Sequence, residues 1–335
     1  MSNLPKTLLL RDHFDSGLEY IESFGEAPTL PLKTMPALNS MLWGLHPGEL
    51  HILAARTSQG KSSMAMQIAM DLAQQNKKVI FFHLEMSIQE TLKRMFCYSL
   101  NIDNVEVLTA QLKKSGQLRS KWVEFTKIYE DKIFFISEEF GKTWKEIISC
   151  LKELKVKPDC IIIDHINNIK TVGKQTREEI NEYVRSFRAM CVKHKIAGVL
   201  CAQLNRGAMS KDVEPSVTHL KESGYIEESA DVCLILWWIN KSGIKPKNEK
   251  FKIDGKEYQN LTEDVWKNFF VLDVAKNRNG RCGRVVLNFT PKYYKFSDWQ
   301  DIPTSERVMN ERTTKDKRDS TKSPYEFKEQ DQWEE

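Results

Sequence analysis

Hydrophobic positions along the chain follow two alternating spacings, which predict alternating strands and helices. Short apolar runs typical of buried strands occupy residues 50–54, 79–84, 132–136, 160–163, 197–201, 232–237, 269–275 and 284–289. Helical spacing of apolar residues occurs in segments 61–75, 87–100, 117–130, 142–155 and 176–195. This alternation predicts an α/β fold with a mostly parallel sheet and helices on both faces. Because no strong helix separates the last strands, we expect the sheet to end antiparallel.

The two ends of the chain and one internal stretch depart from this alternation. Residues 5–24 are predicted as one helix, and residues 25–40 as an extended linker rich in Pro, Thr and Leu. The polar stretch 240–267 is expected to form a surface insertion. Mixed charges without apolar periodicity predict disorder at the C-terminal end. The predicted units are therefore a helix and linker (1–40), an α/β domain (41–300) and a charged tail (301–335).

Composition narrows the class of protein. The 335 residues are 41% hydrophobic and 29% charged, which is typical of a globular chain. The net charge of +4 is too small to argue for nucleic-acid binding by itself. Seven cysteines without a C-x-x-C spacing indicate a reducing compartment and no zinc module. The longest strongly apolar stretch, Val232–Ile239, is too short to cross a membrane, so we expect a cytoplasmic protein without membrane partners.

The first chemical signal is a phosphate-binding loop between the predicted strand 50–54 and the predicted helix 61–75. It is a Walker A motif whose first Gly is replaced by Ala55, and its sequence is Ala55-Arg56-Thr57-Ser58-Gln59-Gly60-Lys61-Ser62-Ser63. Backbone N–H groups of such a loop and of the helix N-terminus can surround phosphate oxygens. Lys61 would reach the β- and γ-phosphates, and Ser62 would bind Mg²⁺. We therefore predict that residues 56–63 bind ATP with Mg²⁺.

Two carboxylates follow predicted strands of the same sheet. Glu85 comes after the second strand, where it can accept a proton from the water that attacks the γ-phosphate. The alternative is an N-terminal charge on the next helix, which Ser87 could cap. Asp164 ends the apolar run 160–163, as in a Walker B motif, and would hold a water of the Mg²⁺ shell. An Asp that merely ends a buried strand is the alternative there.

A third polar residue follows the predicted strand 197–201. Gln203 could sense the γ-phosphate through its amide and shift the loop after it, residues 205–225. A loop or helix-capping amide without a functional role is the alternative. Because the residue type alone does not separate these interpretations, the sensor role stays a hypothesis at this point.

Taken together, these motifs resemble the ATPase domain of the DnaB-family hexameric replicative helicases, a branch of the RecA-like P-loop NTPases. The resemblance extends from about Pro31 to Phe296. The matching strings are Gly44-Leu45-His46-Pro47-Gly48-Glu49-Leu50, the loop 55–63, Leu84-Glu85-Met86-Ser87, Ile161–Asp164, Gln203-Leu204-Asn205-Arg206, Leu220-Lys221-Glu222-Ser223-Gly224 through Glu227 to Ala230-Asp231, and Ala275-Lys276-Asn277-Arg278-Asn279-Gly280. The resemblance implies an ATP-hydrolysing enzyme that translocates on single-stranded DNA and unwinds duplex DNA at a replication fork.

The resemblance also implies residue roles within one subunit. Lys61 and Ser62 would bind phosphate and Mg²⁺. Glu85 would be the catalytic base, Asp164 the Walker B carboxylate and Gln203 the γ-phosphate sensor. All five roles concern one ATP site, at the carboxyl ends of the predicted parallel strands.

Two further strings imply contacts outside that subunit. Lys276 and Arg278 resemble the pair that reaches into the neighbouring subunit's ATP site, where an arginine finger stabilises transition-state charge. An ordinary basic turn, suggested by Asn279-Gly280, is a compatible interpretation. The segment Lys221, Glu222, Ser223 and Gly224 resembles the loop that binds single-stranded DNA phosphates, although the family usually has Arg where Lys221 stands. A solvated surface loop is the alternative.

Partners follow from the same resemblance. It implies a homohexameric ring on single-stranded DNA, and primase, a helicase loader or a polymerase as further partners. The family's N-terminal collar domain has no expected counterpart here, because the predicted helix 5–24 resembles only the connecting helix. Two alternatives remain open on the same fold: a RecA-like recombinase or clock-type ATPase, and an ATP-switch accessory or loading protein that does not unwind DNA.

Overall fold

The computed structural model describes residues 29–136, 143–153, 156–171, 176–205, 214–220, 224–242, 250–259 and 261–299, together with Leu18. Apart from Leu18, the predicted helix 5–24 lies outside these residues, as does the predicted tail 301–335. Both remain predictions, and so does the division of the chain into three units. Within the described ranges, no helix is long and apolar enough to cross a membrane.

The first half of the described chain alternates strands with helices. Its elements are α1 (Pro36–Leu42), β1 (Leu50–Ala55), α2 (Lys61–Gln74), β2 (Val79–His83), α3 (Ile88–Leu100), α4 (Asn104–Leu108), α5 (Gln111–Lys114), α6 (Leu118–Tyr129), β3 (Ile133–Ile136), α7 (Trp144–Glu153) and β4 (Cys160–Asp164). The long predicted helices and strands of this region are all present, with ends within about two residues of the predicted ones.

The second half contains more strand than helix. Its elements are α8 (Arg177–His194), β5 (Ala197–Gln203), α9 (Gly224–Ser229), β6 (Val232–Trp238), β7 (Phe251–Ile253), β8 (Lys256–Tyr258), α10 (Glu263–Trp266), β9 (Phe269–Asn277), β10 (Gly283–Thr290) and β11 (Lys295–Asp298). The sequence pattern missed the short elements, because each has too few residues to show a periodicity. These elements are α4, α5, α9, α10, β7, β8 and β11.

The described strands form one large twisted sheet with the order β11-β10-β9-β6-β1-β5-β4-β2-β3, and β7 pairs separately with β8. Neighbouring strands from β6 to β3 in this order run parallel, whereas β9, β10 and β11 pair antiparallel. The predicted mostly parallel sheet with an antiparallel C-terminal edge is therefore confirmed. The carboxyl ends of β1, β5, β4 and β2 lie side by side, at the edge where ligands bind in open α/β sheets.

The central strands are apolar along most of their length because helices cover both faces of the sheet. Every residue of β1, β2 and β4 is buried. Helix α2 packs on one face, and twelve of its residues are buried. Helix α8 packs on the other, and a capping box between Thr176 and Glu179 fixes its N-terminus. This sandwich holds the strand ends of the site in place.

Two parts of the sequence interpretation were wrong. The stretch 25–40 was predicted as an extended linker, but Pro36 occupies the first turn of α1, and Leu30, Leu32 and Leu38 are buried in the core. The polar stretch 240–267 is more than a surface insertion, because its described residues contribute Leu261 and Trp266 to a separate buried cluster. In both stretches the apolar residues are isolated in the sequence, so no periodic pattern reveals their burial.

Candidate nucleotide-binding site

The predicted phosphate loop lies at the carboxyl end of β1 and leads directly into α2. Ser58 and Gly60 adopt left-handed backbone conformations, with φ angles of 60° and 83°. A Cβ atom on Gly60 would lie 2.8 Å from Cζ of Phe296 on β11, so this position requires glycine for space as well as for backbone angle. Gln59 is buried, whereas Arg56, Thr57, Ser58, Ser62 and Ser63 line a pocket above the loop. Of the predicted residues, 56–60 therefore form the loop, and 61–63 are the first residues of α2.

Lys61 lies at the centre of a group of charges. Its ammonium is hydrogen-bonded to Oδ1 of Asp164, and its Nζ is 3.7 Å from Oε2 of Glu85. Burial alone would lower the pKa of Lys61, but Asp164, with further contributions from Cys201 and Glu85, outweighs burial, and the pKa lies above its usual value. Lys61 therefore carries a buried positive charge at neutral pH, at the position where phosphate oxygens are expected.

The two predicted carboxylates differ in exposure. Asp164 is fully buried; burial would raise its pKa, but Lys61 and the nearby His83 hold that pKa below its usual value. Glu85 is 38% exposed and faces the pocket, with its Oε2 3.5 Å from Oγ of Ser62. One carboxylate is thus a fixed buried anion, and the other is accessible to a water molecule in the pocket.

The oxygen atoms at this site fit the chemistry of Mg²⁺, which prefers hard oxygen ligands. The hydroxyl of Ser62 and the carboxylates of Asp164 and Glu85 lie around Lys61 within a few ångströms. Such a mixture of one hydroxyl, ionised carboxylate and open pocket suits a cation that keeps several waters and binds substrate phosphates. Ser62 and Asp164 are therefore the residues that would hold Mg²⁺.

Gln203 ends β5, the neighbour of β1 in the sheet. Residues Ala55 and Gln203 are paired in register, and the Gln203 Nε2 donates a hydrogen bond of 2.6 Å to Oγ1 of Thr57. Arg56 Nη1 also donates to the carbonyl oxygen of Leu204, at 3.3 Å. The predicted sensor is therefore in direct contact with the phosphate loop and lines the same pocket.

The pocket has a volume of about 380 Å³, and one of its walls was not predicted from the sequence. That wall includes Arg94 from α3, with Phe289 and Tyr294 from the antiparallel edge. The Arg94 guanidinium lies 5.0 Å from the centre of the Tyr294 ring, in a cation–π arrangement. These residues are distant in sequence and belong to no motif, so only the fold brings them beside the phosphate loop. A flat cation and aromatic rings suit the planar base of a nucleotide.

His83 and His165 are two further residues that the motifs did not single out. Nδ1 of His83 accepts a 3.2 Å hydrogen bond from the backbone N–H of Met86, so Nε2 carries the proton and lies 3.7 Å from Oδ2 of Asp164. His165 lines the pocket, with its Nε2 3.8 Å from Oε2 of Glu85. Both imidazoles therefore lie beside the two carboxylates, and His83 connects the turn that carries Glu85 to Asp164.

Lys276 and Arg278 lie at the opposite end of the strands, where the parallel strands β1 and β6 begin. This side of the sheet is called the amino edge below, and the side with the phosphate loop the carboxyl edge. Lys276 is near the end of β9 and Arg278 directly follows that strand, where it contacts Asp231. The Asp231 carboxylate also accepts the N–H of Leu50 at the start of β1. Strand β1 advances about 3.3 Å per residue, so its start lies roughly 16 Å from the phosphate loop at its end. The structure does not bring these two residues to the pocket of their own chain.

The predicted DNA-binding segment is only partly described. Lys221, Glu222 and Ser223 lie outside the described residues, and Gly224 begins α9. The role of this segment therefore stays a prediction.

Comparison with known proteins places this geometry in a family. The profile of the "DnaB-like helicase C terminal domain" matches residues 32–298. "Replicative DNA helicase DnaB" of Geobacillus stearothermophilus is 28% identical over 270 residues, which are 77% of this chain and 54% of that protein. "Replicative DNA helicase DnaC" of Bacillus subtilis gives the same identity, length and coverage. The chain thus spans about half the length of the curated relatives it matches.

Solved structures agree on the fold. One solved ATPase domain superposes with a TM-score of 0.70 and 20% identity, covering 87% of this chain and 99% of that one. "The Structure Of A DnaB-Like Replicative Helicase And Its Interactions With Primase" gives a TM-score of 0.69 and 20% identity, covering 88% and 68%. The fold class predicted from the sequence is confirmed. The match over residues 32–298 shows that the chain belongs to the family of DnaB-like helicase C-terminal domains.

Proposed function

We propose that this chain is an ATP-hydrolysing DNA helicase that translocates on single-stranded DNA and opens the duplex at a replication fork. The observation that carries the proposal is that Lys61 and Glu85 line one pocket while the buried Asp164 carboxylate is hydrogen-bonded to Lys61. Family membership and the relatives named as replicative DNA helicases give this ATP site its proposed purpose.

Each residue of the pocket has a proposed part in hydrolysis. Lys61 and the loop amides of residues 56–63 bind the phosphates of ATP. Mg²⁺, held by Ser62 and Asp164, would neutralise charge on the β- and γ-phosphate oxygens. Glu85, exposed to the pocket, accepts a proton from the attacking water. Arg94 and Tyr294 hold the base at the other end of the same pocket.

The ATP site is proposed to be completed by a second copy of the chain. Lys276 and Arg278 lie at the amino edge of the sheet, far from the pocket of their own chain. In the proposed ring, that edge of one subunit would face the ATP site of the next, so Arg278 would stabilise the charge of the transferred phosphoryl group. A homohexamer is the proposed assembly.

Coupling between ATP and DNA is proposed to pass through Gln203. The segment after it pairs with the segment that precedes the predicted DNA loop, because Leu204 and Leu220 form an isolated β-bridge. The N–H of Asn205 also donates to the carbonyl oxygen of His219, at 2.8 Å. A change at Gln203 would therefore displace the backbone next to Lys221, Glu222, Ser223 and Gly224, which we propose bind single-stranded DNA phosphates.

Further partners are proposed from the relatives. One structural neighbour is described with its interactions with primase. Primase, a helicase loader and a polymerase are accordingly the partners to test.

One pair of assays tests the proposed function. ATP hydrolysis is measured with and without single-stranded DNA, and unwinding of a forked duplex is measured with the same preparation. We expect DNA to stimulate hydrolysis and the fork to open only with hydrolysable ATP. DNA-stimulated hydrolysis without unwinding would indicate a recombinase-like ATPase. A hydrolysis rate that DNA does not change would indicate an ATP-switch accessory protein. Either result contradicts the helicase proposal.

A further inference from the structure

Asp231 joins three elements at the amino edge of the sheet. It directly precedes β6, and its Oδ2 accepts the backbone N–H of Leu50 at 2.9 Å. Its Oδ1 accepts hydrogen bonds from Arg188 Nη2 at 2.9 Å and from Arg278 Nη1 at 3.2 Å. The backbone N–H of Arg278 also donates to the Asp231 carbonyl oxygen, at 3.0 Å. Asp231 therefore ties Arg278 to the first residue of β1 through both its side chain and its backbone.

The proposed finger pair also contacts the C-terminal end of α9. Arg278 Nη2 donates to the carbonyl oxygen of Glu228 at 2.8 Å, and Lys276 Nζ donates to that of Glu227 at 2.6 Å. The last carbonyl groups of a helix have no partners within the helix, and they attract cations. These contacts hold one side of the Arg278 guanidinium against the chain.

The other side of Arg278 stays accessible. The side chain is 44% exposed, whereas that of Asp231 is only 8% exposed. A guanidinium has five N–H donors in a rigid planar fork, so contacts to Asp231 and Glu228 leave further donors on its outer side. This geometry presents a pre-oriented cation at the surface of the molecule.

We propose that Asp231 is the positioning residue for Arg278 and that Arg188 supports Asp231 in this role. Asp231 holds the inner side of the guanidinium so that its outer side faces the nucleoside triphosphate bound by a neighbouring copy of the chain. The inference rests on the proposed function, in which Arg278 acts in the neighbour's site. It assigns a part in hydrolysis to Arg188, which belongs to no motif, and to Asp231, which ends a family-like string that had no assigned role.

The electrostatics agree with this arrangement. Burial alone would raise the pKa of Asp231, but its hydrogen bonds with Arg188 and the Leu50 amide hold that pKa below its usual value. The carboxylate is therefore ionised at neutral pH and can hold two guanidinium groups together, which would otherwise repel each other. Arg188 is 34% exposed, and its ion pair with Asp231 connects that carboxylate to helix α8.

A double-mutant cycle tests the proposal with the full chain and saturating single-stranded DNA. Its members are Asp231→Asn, Arg278→Ala and the double variant, and the readouts are kcat and KM for ATP. Because small displacements of a catalytic group lower the rate strongly, Asp231→Asn should lower kcat by about 10-fold to 100-fold while KM changes by less than about two-fold. The double variant should match Arg278→Ala, since Asp231 acts only through Arg278. If the loss of kcat in the double variant equals the product of the two single-variant losses, the two residues act independently. That result would overturn the proposal.

Asp159→Asn is a matched control. Asp159 directly precedes β4 at the same edge, and its Oδ2 accepts the backbone N–H of Lys78 at 2.8 Å, much as Asp231 accepts that of Leu50. It has no part in the finger pair, so its kcat and KM should match those of the wild type. If Asp159→Asn lowers kcat as much as Asp231→Asn does, the loss in Asp231→Asn comes from a general disturbance of the strand ends. That result would overturn the proposal.

A second variant covers the case in which Asp231→Asn does not fold. Arg188→Gln changes a partly exposed side chain and leaves the Asp231–Leu50 bond in place. It should lower kcat several-fold without changing KM, and this loss should vanish in the Arg278→Ala background. A folded Arg188→Gln protein with wild-type kcat would overturn the proposal. If Arg278→Ala itself keeps wild-type kcat, the proposed trans role fails instead, which separates the two failures.

Discussion

Both the carboxyl edge and the amino edge of the central sheet carry cations paired with a buried aspartate. At the carboxyl edge these charges lie at a pocket, and at the amino edge they lie at the surface. At the carboxyl edge, Lys61 and Glu85 line a pocket, Lys61 is paired with the buried Asp164, and the Glu85 carboxylate is open to solvent. At the amino edge, Lys276 and Arg278 both bind backbone carbonyls of α9. Arg278 also binds the carboxylate of Asp231, and its outer side faces solvent.

The difference supports the proposal that the chain carries two half-sites. The carboxyl edge has phosphate-binding and base groups but takes no cation from β9, and the amino edge has a positioned cation pair without a phosphate loop. Strand β1 separates them by roughly 16 Å, which is beyond the reach of an Arg side chain. We therefore propose that a complete site needs two copies of the chain, which is the central claim of the proposed function.

The largest effect is expected at the amino edge. Arg278→Ala should reduce ATP hydrolysis about 10³-fold or more, because an arginine finger contributes about that factor. Nucleotide affinity, measured by equilibrium binding, should stay close to that of the wild type, since the finger is proposed to stabilise charge that develops in the transition state. Arg284→Ala is a control, because Arg284 is a nearby β10 arginine paired with Glu214. Wild-type hydrolysis in Arg278→Ala would contradict the proposal that the amino edge supplies half of an ATP site.

The next effect is at the carboxyl edge. Glu85→Gln should keep ATP binding and lower turnover by about 10²-fold to 10⁴-fold, because the amide cannot accept a proton from water. Single-turnover hydrolysis and equilibrium nucleotide binding measure the two properties separately. Turnover near the wild-type rate would remove Glu85 as the base and leave it as a charge at the start of α3.

A smaller effect concerns the unpredicted wall of the pocket. Arg94→Ala should weaken ATP binding about five-fold, as expected for loss of a cation–π contact with the base. Binding of inorganic tripolyphosphate, which has no base, should not change. Lys93→Ala is the neighbouring control, since Lys93 pairs with Glu90 without lining the pocket. Equal losses for ATP and tripolyphosphate would place Arg94 at the phosphates instead.

The smallest effect is a difference in acid stability between two buried carboxylates. Asp231 has a lowered pKa, so its contribution to the free energy of unfolding is present at neutral pH and is lost as pH falls through the folded-state value. Burial raises the pKa of Asp71 on α2, so its contribution is present at low pH and is lost as pH rises through the folded-state value.

Urea unfolding between neutral and acid pH measures both contributions. Asp231→Asn should make the loss of stability in acid shallower, and Asp71→Asn should make it steeper. Slopes that change in the same direction in both variants would contradict the assigned pKa shifts.

Long periodic segments were predictable from the sequence, and isolated contacts were not. The strands around the phosphate loop and the helices α2 and α8 have enough residues to show their spacing, and the loop's composition indicates its ligand. Leu30 and Leu32 lie in a Pro-containing stretch without a repeat, so their burial beside α1 was missed. The pairing of Arg94 with Tyr294 depends on β11, a strand too short to predict.

The contacts of Arg278 show the same limit. Its motif indicated a basic turn, but its partner Asp231 comes from the antiparallel pairing of β6 and β9, where Val232 lies opposite Asn277. The pattern of the last strands predicts antiparallel pairing without fixing its register. Residue contacts across the sheet therefore required the structure, while the residue types at the ATP site did not.

The most direct test of the two half-sites mixes two inactive variants. Lys61→Ala lacks a working phosphate loop but keeps Arg278, and Arg278→Ala lacks the finger but keeps its phosphate loop. Mixed assemblies contain interfaces where an intact loop meets an intact finger, so the mixture should hydrolyse ATP faster than the sum of the two proteins measured separately. Activity that never exceeds this sum at any mixing ratio would contradict an ATP site completed by a second copy of the chain.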